Sequence, residues 1–148
     1  MSSQQLIDTL RRINQARLGG NYAPIPLLST PISIVESLNQ ASRRLAIYGP
    51  SKLLSRELRE LPGVWENGAV HGPLVERGDA EPGWLWDPDG PAAPVRVFKG
   101  ETLPEHWPAL DAAAGADLIR LLVPVLIDGR TRITNMYALR EPAGWETT

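Results

Sequence analysis

The stretch of this chain best equipped for chemistry is Arg44-Leu45-Ala46-Ile47-Tyr48-Gly49-Pro50-Ser51-Lys52-Leu53-Leu54. Leu45 to Tyr48 form a short apolar run suited to a buried strand, and Gly49-Pro50 stops it. Ser51 can then cap a helix that starts with Lys52 and Leu53. A strand turning into a helix this sharply leaves several backbone N–H groups unpaired and pointing one way, with the positive end of the helix dipole behind them. The chemistry on offer is the holding of an anion or an oxyanion, although the same pattern also describes an ordinary connection. Lys52 adds an ammonium that could take a ligand carboxylate, or simply stand in water.

Other reactive residue types are sparse. The absence of cysteine excludes disulfides, thiolate metal sites and cysteine nucleophiles. His71 and His106 have no neighbour at metal-ligand spacing, so no metal is expected and both histidines are read as structural. Tyr48 and Tyr137 fall near strand ends, where a tyrosine can line a pocket or pack and bond its hydroxyl.

The elements that must position these residues follow from periodicity. Residues 4 to 18 place Leu6, Ile7, Leu10, Ile13 and Leu18 near one face and Arg11, Arg12 and Arg17 mostly elsewhere, which predicts an amphipathic helix ended by Gly19-Gly20. After an extended connector with Pro24 and Pro26, Thr30 and Pro31 read as the start of a second short helix carrying Ile34, Val35 and Leu38. Beyond the central strand, Leu53, Leu54, Leu58 and Leu61 stripe a helix closed by Pro62-Gly63. Two short strands are predicted at Val64–Trp65 and Ala69–Leu74, separated by a turn at Glu66-Asn67-Gly68. A strand between loops carries Trp84 and Trp86 on one face, as a core or partly exposed wall rather than a ligand cage. Val95, Val97 and Phe98 make a strand ending near Gly100, and Thr102 with Glu105 reads as a capping box opening a helix through Ala112. Strands at Ile119–Ile127 and Arg132–Leu139 are joined by the tight turn Asp128-Gly129. Strands outnumber helices after residue 44 without regular βαβ spacing, so a curved or barrel-like mixed sheet with helices at its edges is expected.

A chain of 148 residues is the size of one domain with one substantial core. A net charge of −2 and no dense Lys/Arg run leave no electrostatic footprint for nucleic acid or an acidic membrane surface. No run approaches the roughly 20 apolar residues of a membrane span, and Met1-Ser2-Ser3-Gln4-Gln5 lacks a basic start, so a cytoplasmic protein is expected.

Four fragments, in order, resemble the γ-glutamylcyclotransferase-like family, whose fold is a small β-barrel with flanking helices. Ile47-Tyr48-Gly49 before a Leu-rich helix resembles that family's Tyr-Gly-Ser-Leu loop. Pro62-Gly63-Val64-Trp65-Glu66-Asn67-Gly68-Ala69-Val70-His71-Gly72-Pro73-Leu74 is similar to its strand pair ending in Gly-x-Leu. Asp87-Pro88-Asp89-Gly90 leads to Pro94-Val95-Arg96-Val97-Phe98 as the third fragment. The fourth is Leu103-Pro104-Glu105-His106-Trp107-Pro108-Ala109-Leu110-Asp111, then Gly115, Arg120, Val123-Pro124-Val125 and Asn135-Met136-Tyr137. The expected layout is α+β: a helical N-terminal extension over residues 1–43, a barrel domain over 44–140 and a C-terminal tail over 141–148, where Trp145 could pin the end.

The resemblance implies a reaction without cofactor or metal. The α-amine of a γ-glutamyl compound attacks its own γ-carbonyl, giving 5-oxoproline and a released amine. An acidic side chain must take the ammonium proton, backbone N–H groups must hold the oxyanion and the substrate carboxylate, and a pocket must fold the substrate back on itself. The loop Tyr48, Gly49, Pro50, Ser51, Lys52 and Leu53 matches the second need, but Pro50 removes a donor. The family pattern Asp-x-x-Glu-Gly is met by Asp111-Ala112-Ala113-Ala114-Gly115, so Ala114 stands at the position of the catalytic base. Leu118 stands where an aromatic residue is expected, and Tyr137 completes the implied pocket. Of the acids near in sequence, Glu105 is engaged as a cap and Asp111 sits a turn from the required face, which leaves Asp117 as the substitute to test.

The reading is of a catalytically silent family member acting as a ligand-binding or protein-interaction module. The alternative is an active cyclotransferase with a relocated acid. The implied partners are a small γ-glutamyl or carboxylate ligand, and a protein or second copy meeting residues 1–43.

Overall fold

The computed structural model describes residues 3–20, 22, 38, 40–48, 57–77 and 80–140. The helix predicted from Thr30 (except Leu38), the loop from Gly49 to Leu53 and the tail from residue 141 lie outside the described residues. In chain order the elements are helix α1 (Ser3–Leu18), strands β1 (Arg44–Tyr48), β2 (Val64–His71), β3 (Leu74–Arg77), β4 (Ala80–Trp84) and β5 (Ala92–Lys99), a 3₁₀ turn (Leu103–His106), helix α2 (Trp107–Ala114), and strands β6 (Leu118–Ile127) and β7 (Arg130–Leu139).

The fold is α+β. Five strands close a mixed barrel in the order β1-β5-β2-β6-β7, and β3 pairs with β4 as a separate hairpin. All barrel pairings are antiparallel except the closure, where β1 meets β7 in parallel through Leu45↔Asn135 and Ala46↔Met136. Side chains alternate across a strand, and every residue of β1 is buried, so both its faces are covered. Ala46 and Tyr48 join Val70, Val95, Val97, Leu121, Val123, Val125, Met136 and Ala138, with members from all five strands, inside the barrel. Leu45 and Ile47 face outward into a second cluster with Leu58, Phe98, Leu103, Trp107, Leu110 and Tyr137 beneath α2.

α1 lies along β6, where Leu6 and Leu10 join the main core. Asn14 fixes the helix there: its amide donates to the Leu122 carbonyl at 2.9 Å and its oxygen accepts from the Leu122 N–H at 2.8 Å. Between β2 and β6 the paired residues are Ala69↔Leu126, so Asn14 serves an edge of β6 that β2 leaves open.

Three sequence expectations are corrected. Residues 64 to 71 form one continuous strand, and Glu66, Asn67 and Gly68 pair with Val97, Arg96 and Val95 instead of turning. Gly68 is required by proximity: a Cβ there would stand 2.8 Å from Val125 Cγ1 and 3.1 Å from the Leu126 carbonyl oxygen. The capping box does not form. Thr102 makes no side-chain capping bond, and Pro104 and Pro108, each near the start of its own segment, divide the run into a 3₁₀ turn and α2. Finally, β4 ends at Trp84, so Trp86 lies beyond the strand; of the core and the partly exposed wall, both indoles take the core. The turn at Asp128-Gly129 is as predicted, with φ of 50° and 76°.

Candidate functional site

Four elements converge on a polar cluster in the outer wall of the barrel, in the seam between α1 and α2. The β6–β7 register sets Arg120 opposite Tyr137 and Leu122 opposite Asn135. Leu118, Arg120 and Leu122 therefore share one face of β6, as Asn135 and Tyr137 share one face of β7. The last turn of α1 brings in Arg17, and α2 brings in Asp111.

Asp111 accepts from three donors. Arg120 forks onto it with Nε to Oδ1 at 3.0 Å and Nη2 to Oδ2 at 3.2 Å, and the Tyr137 hydroxyl donates to Oδ1 at 2.5 Å. Asn135 donates to the Ala41 carbonyl at 2.8 Å, while its oxygen accepts from Arg17 Nη1 at 2.8 Å and Arg120 Nη1 at 3.5 Å. Arg17 Nη1 also reaches the Arg120 carbonyl at 3.3 Å. Aromatic rings border both cations: Arg120 is 4.2 Å from the Trp107 ring centroid and 4.8 Å from that of Tyr22, and Arg17 is 5.0 Å from Tyr22. Trp107 is held in turn by its indole N–H, which donates to the Ser42 carbonyl at 3.0 Å.

The electrostatics follow from burial. Desolvation first, and then the neighbouring Arg120, pull the Arg17 guanidinium down to about 10. Burial first, and then its bond to Asp111, push the Tyr137 hydroxyl above its ordinary value. Tyr137 is thereby kept as a proton donor to Asp111, both of whose oxygens accept hydrogen bonds. The cluster sets two guanidiniums against one carboxylate.

Ala114, Leu118 and Tyr137 come together, the first two packed on the outer cluster that contains the third. Tyr48 does not join them. It faces the barrel interior, and its hydroxyl donates to the Pro82 carbonyl. Asp117 is on the surface, its side chain 86% exposed and 3.8 Å from Arg77. Glu105 is exposed on the 3₁₀ turn. Asp111, which the sequence reading set a turn away from the pocket face, is the carboxylate that meets Tyr137. It precedes Ala114 by three residues, a spacing that puts both on one side of α2.

The helical periodicity does not single out Arg17, set mostly off the apolar face, or Asn14. A signal was present: Leu6, Leu10 and Asn14 step by four and Arg17 follows by three, so two polar residues extend the apolar stripe. Nothing in local spacing links Asp111 to Arg120 or Tyr137. Among the described residues no three His, Asp or Glu side chains gather as a metal ion would require, and no helix is long and apolar enough to cross a membrane.

No protein-family model and no curated protein sequence matches this chain. Two solved structures are similar to it. One is the solution structure of At5g39720.1 from Arabidopsis thaliana, 17% identical, with a TM-score of 0.53 over 72% of this chain and 74% of that one. The other is At3g28950.1 from the same plant, also a solution structure, 15% identical, with a TM-score of 0.51 over 67% of this chain and 62% of that one. At these identities the likeness is one of fold, and the fold is a small closed β-barrel.

Proposed function

We propose that this chain is a catalytically silent relative of the γ-glutamylcyclotransferases, a cytoplasmic module that binds a small ligand or a protein. The observation that carries this is the environment of Ala114. Where the resemblance calls for a proton acceptor there is a methyl group, packed with Leu118 against a cluster that includes Leu45, Ile47, Phe98 and Tyr137. The nearby carboxylate on the same side of α2, Asp111, is committed to Arg120 and Tyr137. Loss of a general base removes on the order of 100- to 10,000-fold in rate. The partner side of the proposal is narrowed by α1, whose apolar face is spent on the barrel, so a protein meeting this helix would meet its polar side.

One observation favours the active alternative: the Asp111 side chain is 39% exposed and stands one turn from the family's base position. Incubation of the purified protein with a panel of γ-glutamyl amino acids and amines separates the two readings. No 5-oxoproline above the uncatalysed rate is expected. Multiple-turnover release that disappears in Asp111→Asn or Asp117→Asn would overturn the silent reading and name the acid.

A further inference from the structure

We propose that Arg17 and Arg120 form a binding site for a small monocarboxylate at the seam of α1 with the barrel, with the Tyr22 ring as its wall. This deepens the binding-module reading and rests on it.

The charges do not balance. Arg120 is neutralised by a two-pronged bond to Asp111, whereas among the described residues no carboxylate comes within ion-pair distance of Arg17. Arg17 nonetheless sits half-buried beside a second guanidinium, and both donate to the one oxygen of Asn135. Asp111 offsets the repulsion between the two guanidiniums only in part, and an anion taken up by Arg17 would relieve the remainder. Among the described residues Arg17 also has unused donors: its hydrogen bonds there leave from Nη1, and its Nε is buried with no partner among them. The idle Nε–Nη2 edge of a guanidinium is a planar fork matched to a planar carboxylate. Among the described residues two cations face one carboxylate, a surplus of a single positive charge, which one carboxylate cancels and a phosphate dianion exceeds. Tyr22, 41% exposed, lies against both cations, so its ring can flank a ligand that reaches them.

Isothermal titration at low ionic strength with 5-oxoproline, its neutral primary amide and inorganic phosphate tests this. Because no turnover is measured, the result is independent of whether the chain proves silent or active. Saturable binding of 5-oxoproline is expected, together with none of the amide and weaker binding of phosphate. Arg17→Gln should weaken 5-oxoproline about 10- to 100-fold, as loss of a charged hydrogen bond does. Asp111→Asn should tighten it by removing the competing negative charge, an effect a merely structural role for the cluster would not produce. The proposal fails if 5-oxoproline does not bind, if amide or phosphate binds as well, if Arg17→Gln leaves affinity unchanged, or if Asp111→Asn does not raise it.

Discussion

Tyr137 shows how one hydroxyl can tie the stability of the molecule to pH. It is 2% exposed and donates to Asp111, so the folded chain retains its proton above pH 10, the ordinary value at which the unfolded chain loses it. A group whose folded pKa is raised contributes stability that is complete below its unfolded value and declines as pH climbs beyond it. In urea titrations the advantage of wild type over Tyr137→Phe should therefore be constant up to about pH 10 and then shrink by up to about 1.4 kcal/mol per pH unit. A stability difference flat through that range would refute this account. Arg17 has the opposite sign: with its pKa lowered to about 10, the unfolded chain binds the extra proton above that pH, so this residue's unfavourable contribution fades as pH rises. The Tyr137 effect is accordingly read from the phenylalanine variant and not from wild type alone. Local spacing does not give this bond, since Tyr137 and Asp111 are 26 residues apart and meet only when α2 packs on the β6–β7 pair.

At the scale of elements, the docking of α1 depends on one side chain. Asn14 satisfies both the N–H and the carbonyl of Leu122, which point away from β7 toward the open side of β6. Asn14→Leu keeps the branched shape and raises the helix propensity, but strands two buried backbone groups, each at about 1–3 kcal/mol. A large fall in urea midpoint is expected, with faster amide exchange at Leu122; a variant within about 0.5 kcal/mol of wild type would show the bond to be incidental. The helix itself was legible in the spacing of Leu6, Leu10 and Leu18, and its end in Gly19-Gly20, because a helix's periodicity is local. What the helix packs on was not. The same limit explains Glu66-Asn67-Gly68, where a sound local turn signal was overruled by pairing with β5 and by the close approach of β6 to Gly68.

For the whole molecule, the expected division into an extension over residues 1–43 and a barrel over 44–140 can be tested. Leu6 and Leu10 are buried in the core that fills the barrel, and each is worth about 1.5–3 kcal/mol. With Asn14 added, the loss approaches the total stability of about 5–15 kcal/mol usual for a domain. A chain begun at Arg44 should lose its near-ultraviolet circular dichroism and its cooperative thermal transition; retention of both would make α1 a detachable part. By itself, the sequence determined the α+β class, the strands around Val97, Val123 and Met136, and the reversal at Asp128-Gly129, since alternation, composition and the left-handed conformation of a tight turn are each written within a few residues. Only the tertiary structure decided that β1 is covered on both faces, that Gly68 makes room and does not turn, and that Arg17, Asp111, Arg120 and Tyr137 share one seam. Those facts depend on how the barrel closes, and closure brings together side chains whose separation along the chain carries no trace of their distance in space.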